Sequence, residues 1–163
     1  MVVEEKMNLA ESLDKCKDFS DVFEVVRRCV DKSLGRRRNG LMLGLTDLPL
    51  HIGAFHAVPS NVIMINRKIL NAVMHYDKKL VNAYVFHVLL HEYLHTLGFM
   101  SEEDVGTLSH IISKKYLGEK HPSTIISKYG MAYVFPRLAI DPETDRTITI
   151  VENFDSSNLS YIG

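Results

Sequence analysis

Apolar residues recur at three- and four-residue steps over Phe19, Phe23, Val26 and Val30, the period of an amphipathic helix. Asp18 or Ser20 can cap its start, and Gly35 closes it. The pattern then changes. Leu41 to Leu45, His51 to Val58 and Val62 to Ile65 have strand character, punctuated by Pro49, Pro59 and the Ser60-Asn61 pair as turns are. Asn66 predicts the cap of a short helix through Ile69 and Val73, and Asp77 that of a longer one from Lys78 to Leu97, stopped by Gly98. Ser101 with Asp104 three residues later resembles a capping box and opens a helix through Val105, Leu108, Ile112 and Tyr116 that Gly118 ends. His121-Pro122 leads into a last helical turn or two near Thr124 to Tyr129. After Pro136 the chain reads as extended: Asp141-Pro142 makes a turn, Arg146 to Val151 alternates like a strand, and residues 155–158 are polar. Helix, small sheet, then helices is an α+β layout. With no internal repeat, the 163 residues read as a single domain in which 137–163 form an extended C-terminal tail.

Composition narrows the function classes. Hydrophobic residues make up 46% and charged residues 24%, ordinary for a globular domain able to bury a core without disulfides or metal. A formal net charge of −1 argues against nucleic acid as a partner and against an anionic membrane surface. No apolar run reaches the length of a bilayer span, and MVVEEKMNLAES lacks a positive-then-apolar leader layout. The expected address is cytoplasmic. Cys16 and Cys29 match no metal or redox spacing and read as reduced thiols. Arg36, Arg37 and Arg38 follow the Gly35 stop and complement the negative end of that helix; a phosphate-binding patch is the sharper alternative.

The chemistry lies in the long helix. Val81, Ala83, Val85, Phe86, Val88, Leu89, Leu90, Leu94 and Leu97 make it apolar nearly all round, hence buried, yet it carries His87, His91, Glu92 and His95. Ionisable groups buried there need partners or a metal. His91 and His95, four apart, project from one face and can hold two corners of a zinc tetrahedron. Glu92, about a hundred degrees round the helix, is near enough to reach a metal-bound water without ligating the metal. His87 is one turn too far along a straight helix to join the same tetrahedron, so a packing or supporting role is expected of it.

This HExxH run, His91-Glu92-Tyr93-Leu94-His95, after a small sheet, resembles the zincin metallopeptidases, closest to compact SprT-like, IrrE-like and minimal-gluzincin proteins. The resemblance covers about a third of the chain, from Leu41 through Leu97, and implies a minimal zincin fold: a small, mainly antiparallel sheet packed on the active-site helix. It implies that Gly53-Ala54-Phe55-His56 is the edge strand lining a substrate cleft, with Val62-Ile63-Met64-Ile65-Asn66 beside it. Where metzincins carry a third histidine this chain has Ser101, a poor zinc ligand. His110 is the expected third ligand, on a spacing found in some SprT-like proteins; Glu102 and Glu103 are the alternatives, in the gluzincin manner. Gly106 can delay the start of the following helix and so bring His110 round. His56, His121, Tyr129 and Tyr133 are candidate transition-state stabilisers.

The function so implied is a zinc metalloprotease with one Zn²⁺, acting on polypeptide substrates, with Glu92 as general base. The alternative is a zincin-like regulatory or binding protein with a single partner and no general peptidase activity. A DNA-associated protease of the SprT type is a third reading, motivated by the arginines and opposed by the net charge. The apolar alternation Thr147-Ile148-Thr149-Ile150-Val151 must pair somewhere: at a distant sheet edge, within a dimer, or over the cleft as an inhibitory lid.

Overall fold

A computed structural model describes residues 9–57 and 59–155. Val58, the end of one expected strand, most of the leader-region reading and residues 156–158 of the polar tail lie outside the described residues. The element order is α1 (residues 9–14), α2 (Phe19–Leu34), β1 (Met42–Thr46), β2 (Ala54–His56), β3 (Val62–Asn66), α3 (Arg67–Val73), α4 (Lys78–Thr96), α5 (Glu102–Leu117), α6 (Pro122–Tyr129), a 3₁₀ turn at Met131–Tyr133, and β4 (Thr149–Ile150). The α+β expectation holds.

The local signals act as their chemistry dictates. The Asp18 side chain accepts from the Asp21 amide at the start of α2, and Gly35 ends that helix at φ 61°. The Ser101 hydroxyl accepts from the Asp104 amide, so α5 starts at Glu102 and Gly106 lies inside it rather than delaying it. Asp77 stands at the N-cap of α4 without a side-chain capping bond. α4 is buried along most of its length and packs against α2, α5 and α6. Asn82 donates to the carbonyls of Leu13 and Cys16, which ties the end of α1 to α4.

The sheet is mixed, in the order β2-β3-β1-β4. β1 and β3 run parallel, with Met42 opposite Val62 and Thr46 opposite Asn66; β2 is antiparallel to β3, and β4 antiparallel to β1. Leu43, Ile63 and Ile65 face the helices and are fully buried, whereas Met42, Phe55 and Ile150 on the other face are exposed. Among the described residues of the expected strand over 51–58, the strand proper is Ala54–His56. The Ile52 amide bonds the Pro49 carbonyl, so a turn takes the residues before it.

Of the alternatives open for the tail, pairing at a distant sheet edge is the one found: Ile150 pairs with Gly44 and the Val151 amide donates to Leu43, on the opposite side of the sheet from β2. Beyond it Phe154 stacks on Phe23 at 4.4 Å, and buried Asp155 meets Arg27 at 2.6 Å. The arginines after α2 do not serve the end of α2. Arg36 donates to the Leu97 carbonyl and Arg38 to that of Thr96, so they cap the C-terminus of α4. Cys16 and Cys29 are buried and unpaired, and burial pushes their thiols up to about 11 and about 12.

Candidate metal centre

α4 ends in a Schellman turn. The Phe99 amide bonds the Leu94 carbonyl, the Gly98 amide bonds that of His95, and Gly98 adopts φ 102°, which an L side chain resists. This reversal is only a few residues long, and the Ser101 cap starts α5 at once, so the first residue of α5 lies over the last turns of α4. That residue is Glu102. Its Oε2 is 2.8 Å from His91 Nε2 and its Oε1 is 2.9 Å from His95 Nε2. One donor atom from each of the three side chains falls within 4.8 Å of the others.

The donor set fits a metal ion. Neighbouring ligand atoms round a tetrahedral zinc stand about 3.4 Å apart for bonds near 2.1 Å. The Glu102 side chain, 77% exposed, has the freedom to move outward by the half-ångström or so this requires. Desolvation works against its charge, but hydrogen bonds and charge from His91 and His95 outweigh it and hold the Glu102 carboxyl below its ordinary range. The imidazole rings of His91 and His95 sit 5.0 Å apart. His95 Nδ1 donates to the Phe99 carbonyl at 2.7 Å, which leaves Nε2 as the coordinating nitrogen. A His-His-Glu group that can bind a metal ion is therefore present.

Glu92 is buried beside it, on the β2 side of α4. Burial pushes its carboxyl up to about 7, with Glu102 adding to the rise while His95 and the backbone N–H of His56 oppose it. That N–H belongs to the edge strand. The Asn66 amide bonds the Gly53 carbonyl and Phe55 pairs with Met64, so the backbone groups of Gly53 and Phe55 face β3. Those of Ala54 and His56 then face the free edge, where Glu92 already takes one of them.

Asn66 sets this edge in place, and reading it only as a helix cap misses most of what it does. It caps α3 through the Lys68 amide, as expected, but it is also fully buried. Its carboxamide accepts from the Leu48 amide and donates to the carbonyls of Leu48, Pro49 and Ile52, knitting the turn that leads into β2. Five backbone bonds to one buried side chain leave no simple periodic signature in the sequence.

The other sequence candidates fall elsewhere. His110 is not brought to His91 and His95: its Nδ1 bonds the Ser127 hydroxyl at 3.0 Å, across the α5–α6 contact. Glu103 is exposed and outside the cluster. His87 packs one turn along from His91, rings 6.5 Å apart, and burial with the neighbouring His91 lowers its imidazole to about 4. His121 caps α6 through the Ser123 amide and meets Asp14 at 3.2 Å, a structural post. The His56 imidazole bonds the Ser60 carbonyl at 2.6 Å. Tyr129 and Tyr133 are exposed and lie against each other.

Among the described residues no helix is long and apolar enough to cross a membrane. No protein-family model matches the chain, and neither a curated protein nor a solved structure matches it.

Proposed function

We propose that this protein is a zinc-dependent peptidase in which His91, His95 and Glu102 hold the ion and Glu92 is the general base. The observation that carries the reading is the convergence of His91 Nε2, His95 Nε2 and the Glu102 carboxylate, with a buried glutamate on the same helix, beside the free edge of a strand. The third ligand is thus Glu102 in place of His110.

A zinc ion bound there supplies Lewis acidity and lowers the pKa of a bound water to about 7. Glu92 takes the proton of the attacking water as its oxygen adds to the scissile carbonyl carbon. It then delivers that proton to the amide nitrogen as the C–N bond breaks. With the His56 N–H held by Glu92, the backbone groups of Ala54 and the His56 carbonyl stay open along the edge, and an extended polypeptide adds there as a further strand. That addition puts the scissile bond alongside Glu92.

Metal analysis of the purified protein, together with hydrolysis of a broad peptide library, tests the reading. The expected result is about one zinc per chain, cleavage by the parent protein, and zinc retained but cleavage lost in Glu92→Gln. Cleavage surviving in Glu92→Gln removes that residue as the base. Zinc bound with no peptide cleaved points instead to a binding or regulatory protein with a single partner.

A further inference from the structure

A ligand histidine is commonly oriented by a bond to its other ring nitrogen, and His95 is held in this way by the Phe99 carbonyl at 2.7 Å. That carbonyl belongs to the reversal between α4 and α5, which is short and carries Gly98 at positive φ. Its grip on His95 depends on what fixes the turn. Besides the Schellman bonds within the turn itself, a further fixing group comes from a distant part of the sequence. The Arg36 guanidinium, in the loop between α2 and β1, donates to the Leu97 carbonyl and lies over the Phe99 ring with its carbon 5.4 Å from the ring centre. It thus holds the turn at two points, one on each side of Gly98.

The neighbouring arginines do different things. Arg38 holds the end of the helix itself, donating to the Thr96 carbonyl at 2.9 Å while its amide donates to the Tyr93 hydroxyl at 2.9 Å. Arg37 donates instead to Asn39 at 3.2 Å, within its own loop.

We propose that Arg36 is a positioning residue for the candidate metal centre. By clamping the 97–99 turn it fixes the Phe99 carbonyl, and through that carbonyl the rotation and tautomer of His95 that turn Nε2 toward Glu102. Arg36 touches no metal and no substrate. The inference rests on the reading that His91, His95 and Glu102 bind a metal. It adds that their affinity and geometry are set partly from the α2–β1 loop.

Cobalt(II) titration of the full chain, followed by visible absorption, tests it, because the band positions and intensities report ligand geometry. Arg36→Met keeps an apolar stem against Phe99 and removes the donors. It is expected to weaken Co²⁺ binding about tenfold, the lower end for losing an outer partner of a ligating histidine, and to change the absorption bands. Arg37→Met serves as the control in the same loop and leaves both unchanged. Arg36→Lys, which keeps a donor for Leu97, recovers part of the affinity. Phe99→Leu, which keeps the carbonyl but loses the ring under the guanidinium, weakens binding about threefold or more, a fraction of the loss expected for the full clamp. These two variants carry the test if Arg36→Met does not fold. Parent protein that takes up no cobalt overturns the metal-site reading itself. Parent protein that binds cobalt while the Arg36 and Phe99 variants bind equally well, with unchanged bands, overturns the positioning role. Equal losses in the Arg36 and Arg37 variants overturn it too.

Discussion

Glu102 contributes one of three donors from an exposed position, whereas Glu92 is enclosed against the edge strand; two carboxylates on neighbouring elements therefore have opposite electrostatic settings. The imidazoles hold the first charged, and burial favours the proton on the second. Replacing Glu102 by Ala is expected to lower zinc affinity by more than about a hundredfold, beyond the loss typical of an outer partner. His110→Ala is expected to leave zinc content unchanged and to cost about 1 kcal/mol of stability, the worth of its bond to Ser127. Zinc content and thermal unfolding of the two variants check both statements, and loss of zinc in His110→Ala alone reverses the ligand assignment. His91, Glu92 and His95 were legible because one helix turn fixes their relation. The third donor was not, since His110 and Glu102 are both on α5 and only the way α5 folds back decides between them. The deciding signals are the Gly98 reversal and the Ser101 cap, which bring the first turn of α5 to the end of α4 and carry position 110 away to α6.

At the scale of elements, the site depends on two junctions: the α4–α5 turn that brings Glu102 to the histidines, and the turn before β2 that sets the free edge. The second is organised by the Asn66 carboxamide, so the two can be perturbed separately. Asn66→Ala removes a fully buried carboxamide and its bonds to the partly exposed carbonyls of Leu48, Pro49 and Ile52. The expected cost is about 1–3 kcal/mol, from the loss of several hydrogen bonds of about 1 kcal/mol each. Zinc binding is expected to persist while peptide cleavage falls, because β2 loses its support but the α4–α5 turn does not. Chemical denaturation, metal analysis and cleavage rates on one preparation check this; loss of zinc in step with cleavage shows that the junctions are not independent. Helix limits were readable from the chain because caps such as Asp18, Ser101 and Gly35 act on residues a few positions away. The strand pattern over 51–58 predicts a longer element than β2 because strand propensity in residues 51–53 gives way to the turn that Asn66 holds from a distance. The parallel pairing of β1 with β3 is likewise a relation between separated segments, and no local pattern announces it.

For the molecule as a whole, the last described residues close the structure on the side away from the free edge. β4 covers the outer edge of β1, Phe154 stacks on Phe23, and the Asp155 carboxylate accepts from the Gly40 and Leu41 amides while facing Arg27. Arg27 is 2% exposed, and although desolvation works against its charge, Glu24 and Asp155 together raise its pKa. This segment also reaches the proposed site indirectly, since Gly40 and Leu41 end the loop that carries Arg36 and Arg38. A chain cut after Ile140 loses the strand, the aromatic stack and the carboxylate at once. Breaking a buried ion pair from one side costs about 3–5 kcal/mol, against a total stability of about 5–15 kcal/mol for a domain. The truncated chain is therefore expected to be unfolded or marginally folded, with no gain in peptidase activity. Asp155→Asn keeps an oxygen for the two amides and removes the charge, so it is expected to fold with a lowered unfolding midpoint. Circular dichroism melts and cleavage rates for both variants decide the matter. A truncated protein that melts like the parent chain and cleaves peptides faster would show that the tail restrains the site, and that its place at the far edge of the sheet is not its whole role.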